Sequence, residues 1–263
     1  MGVAWNGSLW VATGSGTTNT IAYSSDGITW TGGGKTIFST QGNGVGWNGT
    51  LWAAVGSGTN TIAYSSDGIT WTGVGVAIIS TQGNGIGWNG VLWVAAGSGT
   101  NTLAYSYDGI TWVGIGTAIF STQGNGVAWN GTIWVSTGAG TNTLAYSYNG
   151  INWIGLGSIM FGASGGNQVA YNYRCPHTIT YPQHTMVAGG QGTSPMAYSY
   201  DGITWTSISW TANSLNQLSS CNALSWNGTI WVAGGAGAAG NSIAYSSNGI
   251  KWTSANGNNN ALL

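Results

Sequence analysis

Apolar and polar residues alternate along this chain in short runs, and the runs recur. From residue 44 the chain reads Gly-Val-Gly-Trp, Asn-Gly, Thr-Leu-Trp-Ala-Ala-Val, Gly-Ser-Gly-Thr-Asn, Thr-Ile-Ala-Tyr-Ser-Ser, Asp-Gly and Ile-Thr-Trp-Thr. Runs this short, rich in aromatic and β-branched residues and bounded by Gly, Asn and Asp, read as strands. The pattern predicts strands at Gly44–Trp47, Thr50–Val55 and Thr61–Ser66, and a fourth beginning with Ile69–Thr72. Asn48-Gly49 and Asp67-Gly68 predict two-residue type I′ hairpins, whose two central residues both need positive φ. Gly56–Asn60 reads as a loop, and Gly73 to about Gly83 as a connector to the next unit.

The same unit appears six times. Tyr-Ser-x-(Asp/Asn)-Gly-Ile-x-Trp recurs with its Asp or Asn at 26, 67, 108, 149, 201 and 248, and an aromatic-Asn pair lies upstream at Trp5, Trp47, Trp88, Trp129, Tyr171 and Trp226. The first four motifs are 41 residues apart; the later units have drifted and carry insertions. Four antiparallel strands in such a period describe a β-propeller blade. The expected fold is therefore all-β: one six-bladed β-propeller over residues 1–263, with blades near 1–40, 41–81, 82–122, 123–164, 165–215 and 216–263. The repeat reads as complete, so that a ring could close without borrowing a strand. An isolated sheet with two apolar faces cannot bury both, whereas stacked blades cover them. The 17 tryptophans supply the glue. Each removes roughly 150–250 Å² from water, worth on the order of 4–6 kcal/mol before entropy costs.

Composition narrows the function. Charged residues make up 3% of the chain: three Lys or Arg and four acids, all Asp. Three cations cannot coat a polyphosphate or hold an anionic bilayer, so neither nucleic acid nor membrane is an expected partner. No apolar run is long enough for a transmembrane helix, and the first residues lack the charged and apolar regions of a signal peptide. The abrupt start inside a repeat suggests a domain of a larger protein. Near-absence of charge suits an extracellular or virion surface better than crowded cytosol.

Ser65-Ser66-Asp67-Gly68-Ile69-Thr70-Trp71 resembles the Asp box of sialidase-like propellers, Ser-x-Asp-x-Gly-x-Thr-Trp, with one residue fewer between Asp and Gly. The resemblance recurs in all six units. In that family the box is structural, lies in the turn between the third and fourth strands, and is remote from the active site. It implies a turn role for Asp26, Asp67, Asp108, Asn149, Asp201 and Asn248. The combined repeat also looks like those of uncharacterised proteins of large DNA viruses, phages and bacteria.

The enzymatic readings fare poorly on residues alone. A sialidase-like enzyme needs several arginines and a Tyr/Glu pair; this chain has one arginine, Arg174, and no Glu. Other glycosidases need two carboxyl groups flanking the scissile bond. The only carboxylates occupy one turn position, where Asn149 and Asn248 stand in two units, and an amide is neither acid nor base. Cys175 with His177 or His184 is a weak nucleophile pattern in the unit-five insertion. Cys221 reads as a connector residue at the opposite end of its strand from Cys175, which argues against a shared zinc site or a disulfide. No catalytic residue, metal or cofactor is expected.

Binding candidates fall in two places. Ser-Thr-Gln-Gly-Asn-Gly repeats at 39–44, 80–85 and 121–126, and would ring a channel mouth with the amides of Gln41, Asn43, Gln82, Asn84, Gln123 and Asn125. Neutral amides and hydroxyls suit a neutral sugar; the alternative is that they cap strand ends. The insertion from about Tyr173 to Thr185 concentrates Arg174 and His177 and reads as a partner contact or as loop drift. Asn-Gly-(Ser/Thr) sequons begin at Asn6, Asn48, Asn130 and Asn227, and the hairpin turn itself explains them. The expectation is a non-enzymatic recognition or structural module on a virion, fibre or secreted protein, with glycans or other surface proteins as partners. A multivalent lectin is the main alternative, and a glycosidase-like enzyme or an engineered consensus repeat the remoter ones.

Overall fold

A computed structural model describes residues 1–162, 165–172, 185–192, 194–208, 218–237 and 242–255. The candidates Arg174 and His177, with Cys175 and His184, lie outside the described residues. The described chain is all-β, with 24 strands that follow one another as six sets of four. Within a set, consecutive strands pair antiparallel as in a meander. Each set is a blade. The chain forms two compact units, Met1–Val127 and Ala128–Leu263.

Blade two shows the construction. Its strands are Gln41–Trp47, Trp52–Ser57, Ile62–Ser65 and Thr72–Gly75. Trp47 and Trp52 face each other across the closing pair of the first hairpin, with ring centroids 5.0 Å apart. Cross-strand aromatic pairs of this kind stabilise a hairpin beyond their buried area. The second strand, Trp-Ala-Ala-Val-Gly-Ser, is buried along its whole length. It is buried on both faces because neighbouring blades cover both. In unit one, Trp52, Ala54 and Ala63 of blade two pack with Val11, Ile21 and Phe38. The opposite face, with Ala53, Val55 and Ile62, packs with Trp93 and Trp112 of blade three. In unit two, Val135 and Leu144 meet Met186 and Trp205, and Val187 and Met196 meet Trp231 and Trp252. Large indoles on one face and small or branched residues on the other thus form one joint, repeated.

The hairpin turns differ from the sequence expectation. Asn48-Gly49 does not make a two-residue loop: Trp47 pairs with Trp52, so the loop runs over four residues, 48–51. Gly49 takes the positive φ, +102°. Asn48 contributes an oxygen instead: Oδ1 accepts from Thr50 N at 2.9 Å and Leu51 N at 2.6 Å. The second hairpin is longer still. Ser65 ends the third strand and Thr72 begins the fourth, which places Trp71 in a six-residue turn and not in a strand. The third correction concerns Gln41, Asn43, Gln82, Asn84, Gln123 and Asn125. They do not lie in connectors; each belongs to the first strand of its blade, Gln41–Trp47, Gln82–Trp88 or Gln123–Trp129. Cys221 likewise lies inside a strand, Leu218–Trp226.

Candidate functional site

The six turns between third and fourth strands hold every carboxylate of the chain. In blade two, Ser65 Oγ donates to Asp67 Oδ1 at 2.9 Å and accepts from Gly68 N at 2.8 Å. The same Oδ1 accepts from Ile69 N at 2.8 Å and Thr70 N at 2.7 Å. Trp71 folds back over the turn, its Nε1 donating to Gly68 O at 3.2 Å. Gly68 has φ +76°, and a methyl group there would lie 2.9 Å from Trp52 Nε1 and 2.8 Å from Leu9 Cδ2. No side chain fits, so the turn can settle directly on the blade joint. Asp26, Asp108 and Asp201 repeat the arrangement. So do Asn149 and Asn248, whose Oδ1 atoms accept from the two following amides at 2.8–3.0 Å.

These bonds set the electrostatics. Backbone N–H groups of Thr29 and Ile28 hold the Asp26 carboxyl down at about 2, from 3.8. For Asp67, desolvation pushes upward, but the hydrogen bonds of Thr70, Ile69 and Ser65 together bring it to about 2. Desolvation also opposes, and hydrogen bonds again overcome, in Asp108 and Asp201, which are lowered too. A general acid needs the opposite shift. Burial pushes the Cys221 thiol up to about 12, away from nucleophilic use. Among the described residues no group of three His, Cys, Asp or Glu could hold a metal ion.

The amides of the first strands are half-buried and structural in their contacts. Opposite Gly42 and Gly44 of blade two stand Gly56 and Val55, which leaves Asn43 as the extra residue of a β-bulge. Asn84 and Asn167 occupy the same bulge in blades three and five. The bulge turns the side chain toward the neighbouring blade. Asn43 Nδ2 donates to Gly83 O at 2.8 Å, and Asn84 Nδ2 to Gly124 O at 2.8 Å. In unit two, Asn167 Nδ2 donates to Cys221 O at 3.2 Å and to Asn222 Oδ1 at 2.9 Å. Gln82 Nε2 steadies the hook by donating to Asn84 Oδ1 at 2.8 Å. These amides tie blades together. The loops between second and third strands are tied as well. Asn60 Nδ2 donates to Ile37 O at 2.8 Å and its Oδ1 accepts from Gly75 N at 3.0 Å.

Concave surfaces offer little chemistry. One of about 460 Å³ opens on blade six against Leu224, Val232, Gly235 and Ile243, and one of about 140 Å³ lies among Leu144, Leu156, Ile203 and Trp205. Neither is lined by a titratable side chain. Sequence reasoning missed an exposed feature: Tyr107, Tyr148 and Tyr200 stand in the solvent beside the turn carboxylate or amide. The available signal was Tyr in place of the Ser found at 25, 66 and 247.

No family model matches the chain, and no curated protein matches it. Solved structures do. A structure of YCF48 bound to D1 peptide superposes with a TM-score of 0.64 at 11% identity, over 97% of this chain and 81% of that one. The nidogen/laminin complex gives a TM-score of 0.56 at 12% identity, over 78% of each chain. The GH74 enzyme of Niastella koreensis gives 0.52 at 17% identity, over 96% of this chain and 36% of that one. The neighbours are β-propeller proteins, and likeness at such identities speaks for architecture alone: the chain has the β-propeller fold.

Proposed function

We propose that the chain is a non-enzymatic recognition propeller, displayed on a virion, a fibre or a secreted protein. One observation carries the reading. All four carboxylates are spent as turn acceptors, with acidities shifted away from general-acid use, and two of the six turns do the same work with Asn. The Asp-box resemblance agrees with that assignment. Two propeller neighbours were solved with a partner, YCF48 with a peptide and nidogen with laminin, which makes partner binding a use this architecture has elsewhere. Lack of charge favours partners that are neutral or read through apolar and hydrogen-bonding groups.

The test is a quadruple variant, Asp26→Asn, Asp67→Asn, Asp108→Asn and Asp201→Asn, compared with the unaltered chain on labelled oligosaccharides. Neither protein should release product above the buffer blank, and both should give the same circular dichroism. Turnover by the unaltered chain that disappears in the variant overturns the reading.

A further inference from the structure

Blades three, four and five differ from the others at one surface position. Tyr107, Tyr148 and Tyr200 follow the third strand there, where blades one, two and six have Ser25, Ser66 and Ser247. The extra rings are not packed away: they are 62%, 63% and 44% exposed. Nor do they hang loose. Each meets the tyrosine two residues earlier edge to face, with centroids 6.1 Å apart for Tyr105–Tyr107, 5.8 Å for Tyr146–Tyr148 and 5.5 Å for Tyr198–Tyr200. The fourth strand changes with them in two blades. Opposite Tyr105 stands Val113 and opposite Tyr146 stands Ile154, both exposed, where blades one, two and six place Thr31, Thr72 and Thr253. Each ring leaves about half its surface or more in water, so the fold draws from it little beyond the one edge-to-face contact.

From this we infer that the three tyrosines are stacking platforms for neutral saccharide rings, a site that deepens the recognition reading above and rests on it. Size decides between ligand classes. Each platform offers on the order of 100 Å² of aromatic surface, the scale of one pyranose face and far below the roughly 800 Å² per partner of a stable protein interface. Chemistry agrees. The tyrosine is followed directly by an exposed polar side chain: Asp108 or Asp201, whose second carboxylate oxygen lies outside the Oδ1 turn bonds, or Asn149, whose Nδ2 can donate while its Oδ1 serves the turn. The same turn exposes Thr111, Asn152 or Thr204. An apolar face beside oxygen acceptors and donors matches a sugar's C–H face and its hydroxyls. Among the described residues no cation sits in these turns to select an acidic sugar. Each platform by itself is weak, and a polymer that repeats the same sugar offers every platform its own ring.

The experiment uses affinity electrophoresis through gels cast with yeast mannan, galactomannan or dextran, with a microarray of neutral and acidic glycans beside it. The variant is Tyr107→Ser, Tyr148→Ser and Tyr200→Ser combined, which copies the serine of blades one, two and six and should stay folded, with the loss of three edge-to-face contacts lowering the melting temperature by several degrees at most. The full chain should be retarded by at least one neutral polymer, and the triple variant should bind it about tenfold or more weakly, since multivalent binding loses several contacts at once. Tyr→Phe at the three positions keeps the ring and should keep most of the binding. A full chain that ignores every neutral glycan, binds only acidic ones, or binds equally well as the triple serine variant overturns the inference. In each of those outcomes the recognition reading stands or falls separately, on the carboxylate variant described above.

Discussion

Two polar devices recur along the chain, and they use the same small side chains for opposite reasons. At the bulge of the first strand, Asn43, Asn84 and Asn167 reach into the next blade and donate Nδ2–H to a backbone carbonyl. At the turn between the third and fourth strands, Asp or Asn reaches two or three residues ahead in its own blade and accepts backbone N–H on Oδ1. A carboxylate can accept but not donate, whereas an amide does both. The two devices therefore tolerate different residues. The turn takes Asp at four positions and Asn at two, while Asn43, Asn84, Asn125, Asn167 and Asn222 fill the equivalent first-strand positions with no Asp among them. The polarity of a residue does not settle its role in this fold; the direction of its hydrogen bond does.

The sharpest way to break that contrast is Asn84→Asp. The change keeps shape and Oδ1 but removes the donor, and sets a carboxylate oxygen where Nδ2 now lies 2.8 Å from Gly124 O. Gln82 can still donate to the remaining oxygen. A lost bond together with oxygen facing oxygen should cost about 2–3 kcal/mol, which for a chain of this size lowers the melting temperature by roughly 4–12 °C. Differential scanning calorimetry at neutral pH reads it directly. An unchanged melting temperature would mean that the hook carries no energy.

The turn role of Asp and Asn was legible in the sequence, though the six-residue length of the turn was not; the hook was not legible at all, for a physical reason. The turn closes within contiguous residues, from Ser65 to Trp71, so all its hydrogen-bonding partners lie in one short motif and the acceptor role of Asp67 shows there. The hook joins residues 40 apart across two blades, and the start of its strand, Gln41 to Asn43, reads as connector in a segment with three glycines among seven residues. Those glycines are there for close approach, not for turning. A methyl at Gly83 would lie 2.6 Å from Thr61 O and 2.7 Å from Val55 Cβ, and one at Gly42 would lie 2.7 Å from Thr20 O. Composition read them as flexible connector; packing makes them the rigid inner part of the blade. The Asn-Gly hairpins taught a similar lesson on a smaller scale. The asparagine is needed there, but as an acceptor that closes a four-residue loop and not as a residue of positive φ.

Acid separates the two devices by their charge. Asp26 and Asp67 ionise at about 2 in the folded chain against an ordinary 3.8. A folded value below the unfolded one means that the unfolded chain takes up protons first. The stability from the turns is then complete above the ordinary value and is lost as pH falls from about 4 toward 2. The amide hooks have nothing to titrate. Stability followed by urea unfolding should be flat from pH 7 to about 5 and decline below 4. The quadruple Asp→Asn variant should lose most of that decline.

The smallest effect is expected from Asp67→Asn alone at neutral pH, and it is the change that tests the contrast most cleanly. The variant recreates at blade two what Asn149 and Asn248 do in blades four and six, where Oδ1 accepts from the serine hydroxyl at 3.1 Å and from the following amides at 2.8–3.0 Å. Those bonds are slightly longer than the 2.7–2.9 Å of Asp67, as a neutral acceptor in place of a charged one requires. The carboxylate is exposed, so water screens most of what its charge adds, and the cost should stay near ~0.5 kcal/mol or below. Calorimetry of Asp67→Asn beside Asn84→Asp therefore compares the same pair of side chains exchanged in opposite directions. A loss at residue 67 as large as the loss at residue 84 would show that charge, and not the direction of the hydrogen bond, is what the turn selects.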